Sequence, residues 1–157
     1  MAFTGSSLYE VADNLGAPHI KTLAKQAGVI SVLRITAYYP ERKARHSVAT
    51  LIEHHQNQRE MDIVYEGFYG HKPVKLTVAR DAFDKLQDAL LQAKFNKLDD
   101  QLNVSYKDHS LWLIQQASGT FLHNVIVSPD VPQLPYSAIV NAIDDYLPEA
   151  IREIPLT

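Results

Sequence analysis

The chain contains no cysteine. That absence removes disulfide staples, thiol nucleophiles and thiolate metal sites together, and it fits a reducing compartment without requiring one. Glycine is scarce, at 6 of 157 residues. Gly67 and Gly70 stand in neither GxGxxG nor Walker spacing, so there is no Gly-rich phosphate loop. No apolar run reaches the ~18 residues a membrane-spanning helix needs. The opening segment, MAFTGSSLYEVADNLG, lacks a basic stretch followed by an apolar one, so no signal peptide is expected and the reading is cytoplasmic. A chain whose leader had been removed after export would read the same. Charge is also slight. A net −3 exerts no general attraction on nucleic acid or anionic membrane, and it suits a weakly basic partner.

What is present is enough for a core. With 46% hydrophobic and 21% charged residues, the chain reads as a single α+β domain over residues 1–157. Residues 1–28 form a short helical segment. Ser7-Leu8-Tyr9-Glu10 has capping-box spacing, Leu8, Val11 and Leu15 share a helical face, and Gly16 closes the helix. Pro18 then suits the first turn of a second helix carrying Ile20, Leu23 and Ala24, with Gly28 as its stop.

From Ser31 to Val78 the period changes to two. Setting Tyr39 opposite Val48, Ile52 opposite Ile63 and Tyr65 opposite Leu76 collects Leu33, Ile35, Val48, Ile52, Met61, Ile63 and Leu76 on one face. This predicts a four-stranded antiparallel meander over 31–78. A helix is expected over 81–94, capped by Asp81 and striped by Phe83, Leu86, Leu90 and Ala93. A second is expected over 136–147, with Ile139, Val140 and Ile143 apolar and Pro148 ending it.

The hairpin over 110–127, SLWLIQQASGTFLHNVIV, is apolar on both sides. With Ala117 opposite Thr120 and Trp112 opposite Val125, one face carries Trp112, Ile114, Phe121, Val125 and Val127. The other carries Leu111, Leu113, Leu122 and Ile126. An antiparallel ribbon with one free face should be polar on it, so each side needs a cover. The expected architecture is an antiparallel sheet of the meander and this hairpin, packed on the two main helices, with the N-terminal helices shielding a second face.

Chemistry-bearing residues are sparse. The meander register gathers Glu53, His55, Glu60 and Asp62 on its outer face, a set that would serve as a carboxylate–imidazole metal site or a general acid/base pair. Arg34, placed opposite Glu53, would neutralise it and make the face a solvated one. His54 and His55 point to opposite faces and do not chelate together, and neither HExxH nor GxSxG occurs. No catalytic residue, metal or cofactor is therefore assigned. The loop Glu41-Arg42-Lys43-Ala44-Arg45-His46, with Tyr38 and Tyr39 before it, is the densest basic run. The N-terminal helices, with His19, Lys21 and Lys25, have a slight helix-turn-helix spacing that would serve DNA, but no arginine or amide side chain stands where base reading needs one.

Between Asp81 and Pro129 the chain resembles a broad set of uncharacterised bacterial domains. They share a helix ending in a gap-filling phenylalanine, a strand with tryptophan, a glycine turn and a strand closing on Ser-Pro. Here those features are Phe83, Leu86, Leu90, Phe95, Trp112, Gly119 and Ser128-Pro129. The resemblance covers about a third of the chain and implies fold alone. The leading functional expectation is a small, non-catalytic bacterial protein-binding module of the immunity or inhibitor type. Its partner is another protein, and its expected contacts are Tyr38, Tyr39, Arg42, Lys43, Arg45, Phe68 and Tyr69, with Trp112 a further aromatic anchor where exposed. A metal-dependent or acid/base enzyme using the outer-face cluster is the alternative, and DNA binding through residues 7–28 the second.

Overall fold

Period-two apolar patterning on both sides of a strand asks for a sheet buried twice, and the chain builds one. A computed structural model describes residues 5–40, 44–105 and 107–156. Helices α1 (Gly5–Asn14) and α2 (Ile20–Ala24) lead into strands β1 (Val29–Tyr38), β2 (Ser47–His54), β3 (Gln58–Tyr65) and β4 (Val74–Thr77). Helix α3 (Arg80–Gln92) follows, then β5 (Leu111–Ser118), β6 (Phe121–Val127) and helix α4 (Tyr136–Tyr146). The strands form one antiparallel six-stranded sheet in the order β4-β3-β2-β1-β5-β6. The hairpin β5–β6 thus extends the meander through β1 rather than forming its own layer.

Helices α3 and α4 cover one face, here the first. Phe83, Leu86 and Leu90 of α3 and Ile139, Val140 and Ile143 of α4 pack there on Leu33, Ile35, Leu51, Met61, Ile63, Ile114 and Val125. Helix α3 begins at Ala79 with no side-chain cap, so Asp81 sits in its first turn rather than capping it. It stops where Lys94 turns left-handed, at φ 57. The second face is covered by the N-terminal helices. Leu8 packs on Leu111, Leu113 and Ile126. Val11, Ala12 and Leu15 meet Val48 and Val64, and α2 meets Val32 and Ala117. The two-faced hairpin is therefore core on both sides. The side chain of Ser7 lies outside the described residues.

Four registers depart from expectation. In the last hairpin Ser118 pairs with Phe121 and Trp112 with Val127, a two-residue shift that keeps both faces. Gly119, at φ 59, takes the first central position of the turn, where a left-handed residue is required. In β3–β4 Met61 faces Leu76 and Asp62 faces Lys75, a shift of four that also keeps the faces. Strand β2 is different. Leu33 faces Leu51, and Leu51 faces Met61, so Ala49 and Leu51 join the first face while Val48 and Ile52 turn to the second. The β2–β3 loop spans residues 55–57, with both Gln56 (φ 71) and Asn57 (φ 64) left-handed, and no glycine marks it.

The two sheet edges are finished differently. Beside β6, the Gln101 N–H donates to the Ile126 carbonyl at 2.9 Å, and the Ile126 N–H donates to Asp100 Oδ1 at 2.8 Å. The Ser128 N–H donates to Gln101 Oε1 at 3.0 Å. That edge is capped by the segment 98–101. The β4 edge is only four residues long and carries an outward lysine, Lys75, two devices that discourage edge pairing.

Candidate functional site

The β2 inversion decides the fate of the acidic–histidine set. Glu53 is carried to the first face, where its Oε1 accepts from Ser31 Oγ at 3.0 Å. Glu60 and Asp62 lie on the second face, opposite Ile52 and Thr50. Glu60 is 3.8 Å from His54 Nε2, and Asp62 is 3.3 Å from Lys75 Nζ. His55 stands in the turn, its N–H donating to the Gly28 carbonyl. The expected cluster is thus divided between the faces, and among the described residues no three histidine or carboxylate side chains are placed to hold a metal ion. Arg34 faces Thr50 rather than Glu53. It is buried, donating from Nε to Thr50 Oγ1 at 2.9 Å and from Nη2 to the Pro18 carbonyl at 2.6 Å.

Of the expected partner contacts, several turn out to be internal. Tyr39 and Trp112 are core residues of the first face, each 3% exposed. Tyr38 is half-buried on the second face and stacks on His46 at 4.5 Å between ring centroids. Arg45 is a staple. Its Nη1 donates to the carbonyls of Glu66 and Gly67, its Nη2 to Leu156, and its own N–H to Ile154. The guanidinium also lies 5.4 Å from the ring centre of half-buried Phe68. These bonds tie the β3–β4 loop to the C-terminal segment, which is why a basic residue sits there without being a surface contact. Arg42, Lys43 and the side chain of Tyr69 lie outside the described residues. Lys21 of α2 and Lys25 just after it are exposed while Ile20, Leu23 and Ala24 are buried on the sheet, as a capping layer requires.

An exposed apolar feature appears where the sequence pattern had not pointed. Helix α3 carries Leu90 and Leu91 in succession. Adjacent helical residues diverge by about 100°, so with Leu90 buried Leu91 is turned out and remains 76% exposed. Beside it Gln116 Nε2 of β5 donates to Gln87 Oε1 of α3 at 3.0 Å, fixing the distance between helix and sheet. The left-handed Lys94 swings the chain into a short turn, Phe95–Lys97, toward the β6 edge. These elements enclose a groove of about 320 Å³ lined by Gln87, Leu90, Leu91, Lys94, Asn96, Lys97 and Gln116. Phe121, 46% exposed, is on the same sheet face as Gln116, because it pairs with Ser118 and side chains alternate. The doublet Leu90-Leu91 was the available signal: the second leucine falls off the buried stripe.

The groove is apolar at its centre, amide-lined beside the sheet, and basic along the rim at Lys94 and Lys97, both exposed. Its lining offers apolar, amide and ammonium groups and includes no carboxylate, imidazole or hydroxyl side chain. No family model, no curated protein and no solved structure matches the chain.

Proposed function

We propose that the protein is a small, non-catalytic protein-binding module of the immunity or inhibitor type, and that the groove beside Leu91 is where its partner docks. The observation that supports this is the juxtaposition of a leucine left 76% exposed with a formed groove and two rim lysines. Burying a leucine side chain contributes roughly 1.5–3 kcal/mol, which makes it a natural anchor for a partner. The lysines select the flanks of that partner. An apolar side chain carried between carboxylates complements the groove, whereas a basic segment is repelled from the rim. Gln87 and Gln116, already bonded to one another, offer their remaining amide groups to its backbone.

The test compares two baits, wild type and Leu91→Glu, in lysate of the source cells. A stoichiometric partner retained by the wild type and lost by about tenfold or more with Leu91→Glu is expected, since a charge in an apolar contact costs upward of ~1.4 kcal/mol. A chain that retains no stoichiometric partner, or one retained equally by both baits, overturns the reading. Leu91 is exposed, so its replacement leaves the fold intact.

A further inference from the structure

Four residues along β5 from Gln116, about 13 Å at strand spacing, the same sheet face opens into a second depression of a different kind. It has a volume of about 260 Å³, enough for a side-chain-sized group. Its base is made of Tyr39, Ser110 and Trp112, all buried. Its rim carries exposed carboxylates from separate segments: Asp130 after β6, Asp144 on α4 and Glu153 near the C-terminus. Pro129 and Ile151 close the sides.

Acidic rims are common on a solvated surface, and the base is what distinguishes this one. Tyr39 and Trp112 are each 3% exposed, and neither the Tyr39 hydroxyl nor the Trp112 indole N–H has a hydrogen-bond partner among the described residues. Neither atom is fully enclosed, so both polar tips are reached by solvent, and a ligand group entering the cleft can take the place of their water. The phenol lies within the field of the rim, since burial first, then Glu153, Tyr65 and Asp130, all push its pKa up. Asp130 is already half-committed, with Oδ2 accepting from the Ser110 N–H at 2.7 Å. Asp144 is raised too, by desolvation and then by Asp145, and a cation beside it would act in the opposite direction.

We infer that the cleft formed by Tyr39, Trp112, Asp130 and Asp144 binds a guanidinium or alkylammonium head group. Asp130 and Asp144 at the rim neutralise the charge, and the Tyr39 oxygen accepts a hydrogen bond from the head group. The indole N–H, a donor only, takes an acceptor such as the carbonyl carried by an arginine or lysine residue of a polypeptide. A free amine such as agmatine supplies the cation without that carbonyl. This site is separate from the groove at Leu91 and stands or falls without it.

Trp112 is the chain's one tryptophan, so both its fluorescence and its single indole N–H resonance report on the cleft alone. The protein is titrated with agmatine, with N-acetylarginine amide and with the neutral isostere N-acetylcitrulline amide. A saturable change with either cation, weakened by salt and absent with the isostere, is expected. Response to agmatine assigns the site to free amines, and response to the arginine amide only assigns it to a partner's side chain. Asp144→Asn, on an exposed position of α4, should weaken binding about fivefold, the scale of one accessible ion pair. Tyr39→Phe should weaken it about threefold, as for one lost hydrogen bond. No saturable response to either cation, an equal response to the neutral isostere, or unchanged affinity in Asp144→Asn overturns the proposal.

Discussion

Beneath α3 and α4 the apolar side chains run unbroken across the sheet, from Tyr65 and Met61 on β3 to Val125 and Val127 on β6. Beneath α1 and α2 they fall into three separate groups, with Arg34, Thr36 and Thr50 buried between them on the same face. Both faces exclude water, by different means. The first gains from continuous apolar burial, roughly 25 cal/mol per Å². The second buries a guanidinium that forms no close ion pair among the described residues. Desolvation lowers its pKa to about 10, with Asp13 opposing, so the charge is kept at a cost. In return Arg34 links β2 to the α1–α2 connection through Thr50 and Pro18. The N-terminal layer is thus attached by apolar patches and one polar rivet, while the other layer is fused to the sheet.

The largest expected effect separates the two attachments directly. Leu86 on α3 and Leu8 on α1 are both fully buried leucines. Leu86→Ala opens a cavity in the continuous core, where neighbours are fixed from both sides, and should cost about 4–5 kcal/mol; Leu8→Ala lies under a short helix able to settle and should cost about 2–3 kcal/mol. Urea denaturation at constant m-value measures both. Equal costs would show that the second face is as tightly packed as the first.

The opposition between the faces bears on what sequence reasoning could reach. Where one face is apolar and the other carries mostly polar side chains, period two fixes which residues point in, whether or not the polar face is wet. That held for β1, β3 and β4, and the two-residue slip in the last hairpin left Trp112 and Leu111 on their proper sides. Strand β2, SVATLIEH, failed because Val48 and Ile52 are as apolar as Ala49 and Leu51, and both faces are covered. The pattern then has two solutions, and in the observed one the left-handed pair Gln56-Asn57 closes the β2–β3 turn. The candidate site suffered in consequence. The Glu53 cluster existed only in the wrong register, Arg45 revealed its bonding partners only in three dimensions, and Leu91 was legible only as an unexplained second leucine.

A smaller effect tests the first face through pH. The Tyr39 hydroxyl has no bonded partner to lose among the described residues, so Tyr39→Phe should change stability at pH 7 by less than about 0.5 kcal/mol. Its pKa in the folded protein is raised, chiefly by burial. The unfolded chain releases this proton near the ordinary tyrosine value of about 10, while the folded chain keeps it. Unfolding therefore releases a proton above that pH, and the stabilising contribution present below it is lost as pH rises, by up to ~1.4 kcal/mol per unit. The expected outcome is that the wild type loses stability between pH 10 and 11.5 faster than Tyr39→Phe, measured by denaturant titration. Parallel profiles would mean that Tyr39 ionises as freely folded as unfolded, and that its side chain is less enclosed than its neighbours on the first face.

The smallest effect is the most discriminating for the second face, because it depends on sign. Thr36 and Thr50 lie there together, 1% and 5% exposed. Thr50 Oγ1 accepts the Arg34 Nε–H, whereas Thr36 Oγ1 has no hydrogen-bond partner among the described residues and stands between Val48 and Leu113 on the adjoining strands. Replacing a hydroxyl by a methyl of nearly the same shape removes a desolvation cost in one case and strands a buried cation's donor in the other. Thr36→Val should stabilise the protein by about 0.5–1 kcal/mol, and Thr50→Val should destabilise it by about 1–2 kcal/mol. Paired melts of the two variants decide the matter. If both destabilise, the Thr36 hydroxyl is satisfied by buried water and the polar seam under α1 and α2 is a hydrated one. If Thr50→Val is neutral, Arg34 is held by Pro18 alone, and the rivet joins the N-terminal helices only to β1.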